Sequence, residues 1–280
     1  MTSPSADGAW RDLGVRAAAA LVLIPIVIGC VWLGGSIYEL LLLILAGLAI
    51  WEWCGLVFSN SERRVQVLIF SVGCAASFAC VRLGQPLYAS GALVAAWAAS
   101  AGFATIRGEI SFWRFCGVPY LVLPVLALFY LRTEPLLGLV AIIWLLAVVW
   151  ATDTFAYFAG RLMGGPKLSP RYSPNKTWSG LAGGMIGAGC AAALVTYFAG
   201  LQGLVMAAFL GAVTAFVSQV GDIFESAAKR HFNVKDSGAL IPGHGGILDR
   251  VDGLLFAAIF VAGVGFARHG DLRQVAHFLL

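Results

Sequence analysis

A group of four ionisable residues lies at positions 222–230, directly after an apolar segment. If this stretch is helical, Asp222, Glu225, Ser226, Lys229 and Arg230 share one face, because they are spaced three and four residues apart. The face is acidic where it leaves the apolar segment and basic two turns later. A carboxylate beside so apolar a segment is costly unless it is paired or bound to a cation, so Asp222 is predicted to belong to a functional site.

The polar stretch continues through residues 235–246 to a second acidic pair. Three glycines and a proline around His244 predict a tight turn with exposed backbone, suited to close approach by phosphate oxygens. Asp249 and Asp252 lie one helical turn apart at a predicted helix start, where they could share a divalent cation. Hard oxygen ligands beside nucleotide phosphates favour magnesium. The alternative is a solvated loop with ion pairs, in which Asp249 only caps the helix.

A second polar segment, residues 160–179, follows another apolar stretch. Asp153 lies inside the end of that stretch, so it is predicted to be functional for the same reason as Asp222. A hydroxyl, an amide, an ammonium and a second hydroxyl then precede a predicted helix start, which is an arrangement typical of anion sites. An ordinary interfacial loop would look the same, and the Walker pattern GxxxxGK[ST] does not occur here. The four residues are Ser173, Asn175, Lys176 and Thr177.

These polar segments stand out because the rest of the chain is apolar. Of the 280 residues 60% are hydrophobic and 11% charged, and the formal net charge is +4. Soluble domains carry about 25% charged residues, so a soluble globular protein is excluded, as is a disordered chain. The small positive charge does not indicate nucleic-acid binding. The cysteines form no CxxC pair and the histidines no HExxH spacing, so neither a zinc site nor a disulfide framework is indicated.

The composition predicts an all-α, polytopic integral membrane protein. A helix needs about 20 apolar residues to cross the hydrocarbon core, and about nine segments approach that length. The predicted transmembrane helices are roughly 17–33, 37–58, 66–81, 87–106, 115–131, 136–159, 180–199, 203–221 and 253–267.

Basic residues alternate unevenly between the predicted loops. The C-terminus and the loops on one side carry only Arg82, Arg132, Arg268 and Arg273, whereas the N-terminus and the other loops carry the remaining 14 of the 18. By the positive-inside rule the N-terminus is cytoplasmic, and both polar segments then face the cytoplasm. With the short loops, this distribution favours a bacterial inner (plasma) membrane.

The chain is predicted to divide into a scaffold and a catalytic region. Residues 1–135 supply N-terminal transmembrane scaffold helices, and residues 136–280 supply the catalytic region with cytoplasmic loops 160–179 and 222–252. In the scaffold, Glu39 and Glu52 lie near opposite ends of the second span, where anchoring at the membrane interface is predicted for both. Trp51, Trp53, Trp113 and Trp144 fit an aromatic belt.

Glycines at four-residue spacing open the span between the two polar loops. One interpretation is close helix packing that holds the loops near each other. The other is that glycine is simply common in membrane helices. The pairs are Gly180 with Gly184 and Gly183 with Gly187.

The run from Ser226 to Asp252 closely resembles the signature of the phosphatidate cytidylyltransferases, or CDP-diacylglycerol synthases. That pattern has Ser, two residues, Lys-Arg, four residues, Lys-Asp, then His-Gly-Gly, and finally Asp-Arg, one residue, Asp. Together with the segments around Asp153 and at 173–178, the similarity covers roughly residues 150–253. Ala228, where the family prefers a larger apolar residue, and Ser179, where a glutamate is common, depart from it. The matching positions are Ser226, Lys229, Arg230, Lys235, Asp236, His244, Gly245, Gly246, Asp249, Arg250 and Asp252.

The resemblance implies an enzyme that transfers CMP from CTP to phosphatidic acid, giving CDP-diacylglycerol and pyrophosphate with Mg²⁺. CTP, phosphatidic acid and membrane lipid would be its partners, and the number of metal ions, a second cation and a homodimer stay open. The reaction suits the residues, because a phosphomonoester is already largely ionised at about pH 7. Catalysis then needs charge neutralisation and in-line positioning rather than a strong base.

Each candidate residue accordingly has an expected role. Asp222 and Asp249 are the expected metal ligands, with Asp252 and Asp153 as supports, and Glu225 and Asp236 are expected to orient the basic residues. The expected catalytic group, which neutralises phosphates and shapes the turn, is Lys229, Arg230, Lys235, Asp236, His244, Arg250 and Asp252. The expected substrate-binding group is Asp153, Ser173, Asn175, Lys176, Thr177, Ser226, Gly245 and Gly246.

Three other functions are compatible with parts of the pattern. A relative could use another lipid acceptor, such as an archaeol-type phosphate or a polyprenol phosphorylated by CTP. A cation-coupled transporter could route ions along Asp153, Asp222 and Asp249, although no internal repeat of broken helices is evident. A non-catalytic scaffold would leave the polar helix face and the glycine-rich turn unexplained.

Overall fold

The computed structural model describes residues 21–108, 111–238, 240 and 245–280, and these residues are almost entirely helical. Within them, eight helices are long and apolar enough to cross a membrane, which confirms an all-α, polytopic membrane protein. A shorter apolar helix, α1 (Leu21–Leu33), precedes them, and the start of the predicted span 17–33 lies outside the described residues. The eight helices are α2 (Gly35–Val57), α3 (Asn60–Arg82), α4 (Pro86–Ile106), α5 (Phe112–Thr133), α6 (Gly138–Met163), α7 (Trp178–Phe198), α8 (Leu204–His231) and α9 (Leu248–His269).

Helices α8 and α9 extend beyond the apolar segments that predict them. Helix α8 continues to His231, so the polar residues from Asp222 onward are helical and share a face, as expected. Helix α9 begins at Leu248 rather than near 253. The loop predicted at 222–252 is therefore shorter at both ends. Its described residues, 232–238, 240 and 245–247, are here called the signature loop. Hydropathy marks only the lipid-embedded part of a helix, whereas the backbone hydrogen bonds continue past it.

The first polar loop contains two short strands that the sequence does not predict. Strand β1 (Lys167–Ser169) pairs antiparallel with β2 (Ser173–Thr177), and α7 begins at the next residue. Strands this short show too little alternation to be recognised in a sequence. The hairpin fixes the direction in which β2 presents its side chains.

Glycine allows α6 and α7 to pack closely, which confirms the first interpretation of the glycine spacing. A Cβ on Gly180 would lie 2.9 Å from the carbonyl oxygen of Ala156, and one on Gly184 would lie 3.0 Å from that of Thr152. Larger residues would force the helices apart. Asp153 of α6 is thereby held close to the start of α7.

Aromatic side chains join the two predicted regions into one hydrophobic core. Trp53 of α2 stacks on Phe224 of α8 with ring centroids 6.4 Å apart. Tyr120 of α5 lies 4.9 Å from Trp53 and 5.0 Å from Phe224 by ring centroids. Trp53 and Trp144 are 0% exposed, so their assignment to an interfacial belt was wrong. The predicted scaffold helices therefore pack directly against the predicted catalytic region.

The ends of α2 identify the two ends of the helix bundle. Ser36 at the start of α2 accepts a hydrogen bond from Arg82 at 3.3 Å, and Arg82 and Arg273 line the same cavity. Glu52 near the other end of α2 contacts the signature loop. The basic residues Arg82 and Arg273, predicted on the outer side, thus lie at the end opposite the signature loop.

Candidate active site

A cavity of about 560 Å³ opens where α6, β2, α7 and α8 meet. Asp153 of α6 and Asp222 of α8 line it together with Asn175, Lys176 and Thr177 of β2. These residues come from the two polar segments that the sequence singles out. The structure therefore brings both segments to one site, with carboxylates on the helices and donors on the hairpin.

An ion pair connects the hairpin with α8 at the cavity wall. Lys176 Nζ lies 2.6 Å from Asp222 Oδ2, and Ser226 Oγ donates to Asp222 Oδ1 at 3.3 Å. Ser226 therefore orients a carboxylate in this structure. An ammonium group has three donors, so Lys176 can hold Asp222 and still bind a phosphate oxygen that enters the cavity.

Asp153 has a partner that the sequence analysis missed. Gln219 Nε2 donates to Asp153 Oδ1 at 3.4 Å, and Gln219 also lines the cavity. Gln219 precedes Asp222 by three residues and so shares its helix face. An amide inside an otherwise apolar span is the signal that could have identified it. The charge of Asp222 acts on both Asp153 and Asp252, and that of Asp153 acts on Asp252, so the three carboxylates interact electrostatically.

Lys229 lies in a buried ion-pair network instead of facing the cavity. Its Nζ is 2.6 Å from Glu225 Oε2 and 2.5 Å from Asp249 Oδ1, and its side chain is 12% exposed. Glu225 and Lys229 are four residues apart on α8, so they meet on one face. Lys229 thus ties α8 to the start of α9, which differs from the phosphate contact expected of it.

Asp249 is enclosed by protein donors. Its Oδ1 binds Lys229, and its Oδ2 accepts hydrogen bonds from Gly246 N at 2.8 Å and from Ser237 N and Oγ, both at 2.9 Å. Four donors thus act on a carboxylate that has about four lone-pair sites, which leaves little acceptor capacity for a metal. Its position agrees better with fastening the signature loop to α9 than with the metal site expected from the sequence.

The cavity residues fit the magnesium ion that the resemblance implies. Among the described residues, no three Asp, Glu, His or Cys side chains form a group that could hold a metal. Asp153 and Asp222 nevertheless present two carboxylates to one cavity, and Asn175 adds an amide. Magnesium usually takes one or two protein carboxylates and completes its shell with water and substrate phosphates. The donor set therefore suits a metal that arrives with a nucleotide.

The remaining signature residues surround the loop. Arg230 is exposed and donates to Val234 O at 3.1 Å, Lys235 and Asp236 are exposed, and the charge of Arg250 acts on Asp153. Gly245 has a φ of +78°, which L side chains rarely adopt. His244 lies outside the described residues.

Two hydrogen-bonding residues of β2 lie near the cavity. Thr177 Oγ1 accepts from Gly180 N at 3.0 Å and caps α7, so one of its lone pairs is already used. Ser173 is half-buried and pairs with Ser169 across the hairpin. Asn175 and Lys176 are therefore the residues of this strand best placed for a substrate.

Glu52 is buried against the signature loop, so the prediction that it anchors at the membrane interface was wrong. It is 3% exposed and accepts hydrogen bonds from Ile247 N at 3.0 Å and Leu248 N at 2.8 Å. A Cβ on Gly246 would lie 2.5 Å from Glu52 Oε2, so this glycine makes room for a protein carboxylate. The sequence analysis missed these contacts because Ile247 and Leu248 follow Glu52 by 195 and 196 positions in the chain.

Comparison with known proteins extends the similarity well beyond the signature. The profile of the cytidylyltransferase family matches residues 14–266. The phosphatidate cytidylyltransferase of Brucella abortus biovar 1 (strain 9-941) is 37% identical over 278 residues, which cover 94% of this chain and 98% of that protein. That of Bacillus subtilis (strain 168) is 47% identical over 128 residues, 44% of this chain and 46% of that protein. Since the profile covers both the scaffold helices and the cavity, the chain belongs to the cytidylyltransferase family.

Proposed function

We propose that this enzyme transfers CMP from CTP to phosphatidic acid, giving CDP-diacylglycerol and pyrophosphate for phospholipid biosynthesis. The observation that carries the proposal is the cavity in which Asp153, Lys176 and Asp222 converge from separate segments. Relatives named phosphatidate cytidylyltransferase cover nearly the whole chain. The name of these relatives indicates the substrate, and the cavity offers a site of suitable chemistry.

The reaction requires two anions to meet. A phosphate oxygen of the lipid attacks the α-phosphorus of CTP, a new P–O–P linkage forms, and the bond between the α-phosphorus and the bridging oxygen breaks. The pyrophosphate leaves with that electron pair. Since the acceptor is already ionised, the protein has to neutralise charge and align the two groups. Lys176 on the cavity wall and Arg250 near Asp153 are placed to do so.

Asp222 and Asp153 would hold the magnesium ion. The metal, when bound, neutralises triphosphate charge and stabilises the leaving pyrophosphate. Asp222 is kept in place by Ser226 and Lys176, and Asp153 by Gln219. These contacts fix both carboxylates at the cavity before a nucleotide arrives.

The lipid acceptor can enter from the side of the helix bundle. Tyr157 and Phe158 of α6 and Trp178 of α7 are 57%, 56% and 55% exposed, and Tyr157 also lines the cavity. Apolar side chains around a polar cavity suit a substrate with acyl chains in lipid and a phosphate in the site. With the positive-inside pattern, this supports an inner-membrane protein whose cavity faces the cytoplasm.

Transfer with two differently labelled nucleotides tests the proposal. Purified protein in detergent receives phosphatidic acid, Mg²⁺ and CTP labelled at the α- or the γ-phosphate. Lipid-extractable label from the α position alone, with release of pyrophosphate, is expected. Label from the γ position would indicate phosphoryl transfer and contradict the proposal. Transfer to an isoprenoid phosphate but not to phosphatidic acid would contradict the acceptor.

A further inference from the structure

The carboxylate of Glu52 lies between three hydrogen-bond donors of the catalytic region. Besides the backbone N–H groups of Ile247 and Leu248, it accepts from Ser237 Oγ at 3.2 Å. Ser237 lies in the first half of the signature loop, Ile247 ends the loop and Leu248 begins α9, whereas Glu52 comes from α2. One side chain therefore fixes the loop to a helix from the opposite end of the sequence.

Two glycines of the signature loop leave space for this carboxylate. A Cβ on Gly238 would lie 2.5 Å from Glu52 Oε1, and one on Gly246 would lie 2.5 Å from Glu52 Oε2. A side chain at either position would displace Glu52. The loop is thus shaped around this carboxylate on both sides.

Glu52 also supplies the N-terminal cap that α9 lacks. The N-cap residue Ile247 has no polar side chain, and the first N–H groups of a helix need acceptors from elsewhere. A carboxylate at this position both accepts the hydrogen bonds and compensates the positive end of the helix dipole. The carboxylate is therefore stabilised by the same backbone groups whose position it fixes.

A chain of contacts leads from Glu52 toward the proposed metal site. Ser237 Oγ lies within hydrogen-bonding distance of both Glu52 and Asp249. Asp249 binds Lys229 of α8, and Asp222 lies two turns earlier on that helix. A shift of Glu52 would move the signature loop and loosen its attachment to α8.

We infer that Glu52 is a positioning residue for transfer: it holds the signature loop and the first turn of α9 in register with α8. The inference rests on the proposed function, in which the metal would be held by Asp222 of α8, the helix that Lys229 ties to α9. Glu52 does not line the cavity in which the substrates are proposed to bind. Its loss should therefore lower kcat through misalignment, while nucleotide binding, which is spread over many contacts, changes less.

The test compares Glu52→Gln with Glu39→Gln in the full-length purified protein. Both changes remove a carboxylate from α2, but Glu39 pairs with Arg82 at the opposite end of the bundle. Hydrogen exchange measured by mass spectrometry follows the peptide that contains residues 245–250. For Glu52→Gln we expect about tenfold faster exchange there, because hydrogen bonds to a charged group are lost. Exchange in α6 and α7 should stay unchanged, as should all exchange in Glu39→Gln.

Kinetics provide the second measurement. Glu52→Gln should lower kcat about tenfold, with a smaller change in KM for CTP. Ser237→Ala keeps the buried carboxylate but removes the hydroxyl that contacts both Glu52 and Asp249. It should also lower kcat, and it replaces Glu52→Gln as the test if that variant does not fold.

Three results would overturn the inference: unchanged exchange at residues 245–250, faster exchange with wild-type kcat, or faster exchange throughout the helices. The last would indicate a general loss of structure. A wild-type protein that transfers no CMP would instead refute the proposed function, and the exchange measurement separates the two cases because it needs no substrate.

Discussion

Lys176 on β2 and Asp222 on α8 form an ion pair of 2.6 Å that closes the cavity between the hairpin and the helix. The pair places a cation that is proposed to bind phosphate directly beside a carboxylate that is proposed to hold a metal. A triphosphate is negative and its magnesium ion is positive, so Lys176 could bind the phosphates while Asp222 binds the metal. The first two predictions concern its two members.

Replacing Lys176 by methionine should lower the catalytic efficiency of the enzyme with CTP. The change keeps the length of the side chain and removes its charge, and a hydrogen bond to a charged group contributes about 1.5–3 kcal/mol. We expect kcat/KM for CTP to fall at least about tenfold. Lys167→Met on the neighbouring strand, an exposed lysine outside the cavity lining, is the matched control. Equal losses in the two variants would show that only the overall charge of the hairpin matters.

Asp222→Asn and Asp249→Asn should differ in their response to magnesium. If Asp222 holds the metal, its loss should raise the concentration of Mg²⁺ needed for half-maximal activity by at least about tenfold, since even loss of a group that supports a metal ligand costs that much. Asp249→Asn should lower kcat at an unchanged Mg²⁺ requirement, since both its oxygens bind protein donors. Titration of activity with Mg²⁺ measures this difference. The reverse pattern would make Asp249 the ligand.

Removing the cation from the network of Glu225, Lys229 and Asp249 should lower the stability of the folded protein. Lys229→Met leaves two buried carboxylates without their cation, and breaking a buried ion pair destabilises a protein by about 3–5 kcal/mol. Adding Glu225→Gln should recover part of this loss. Thermal unfolding in detergent measures both effects, with Lys235→Met on the exposed loop as control. A single variant as stable as that control would mean that the network adds no stability.

Gly184→Ala should push α6 and α7 apart. Its Cβ would lie 3.0 Å from the carbonyl oxygen of Thr152, and overpacking typically costs about 1–3 kcal/mol. In Gly47→Ala, the new Cβ has no heavy atom of the described residues within 4 Å apart from its own helix. We expect a lower unfolding temperature and lower activity only for Gly184→Ala, because Asp153 moves with α6. Wild-type behaviour of both variants would show that the helix contact is loose.

The sequence predicted those features that depend on local composition. Apolar segments located the helices, and three- and four-residue spacing placed Asp222, Ser226 and Lys229 on one face of α8. The resemblance to the family signature identified most of the candidate residues in and beside the signature loop. Local patterns could also predict that Asp153 and Lys176 matter, since each is a charged residue beside an apolar span.

The features that the sequence did not predict depend on contacts between distant segments. Glu52 lies between two tryptophans near a helix end, a pattern that equally describes an interfacial anchor. Whether Asp249 faces a metal or Lys229 depends on how α8 and α9 cross, which no spacing within either helix determines. The hairpin was missed because its strands are too short for a periodic signal.

The hydrogen bond from Leu248 to Glu52 joins residues 196 positions apart, and this separation orders the assembly of the protein. Helix α2 is synthesised early and enters the membrane with a carboxylate whose partners do not yet exist. That charge stays without its native partners until nearly the whole chain has emerged and α9 has packed beside α8. Closure of the signature loop is therefore among the last events of folding, and chains that end before α9 retain an unsatisfied charge in the bundle.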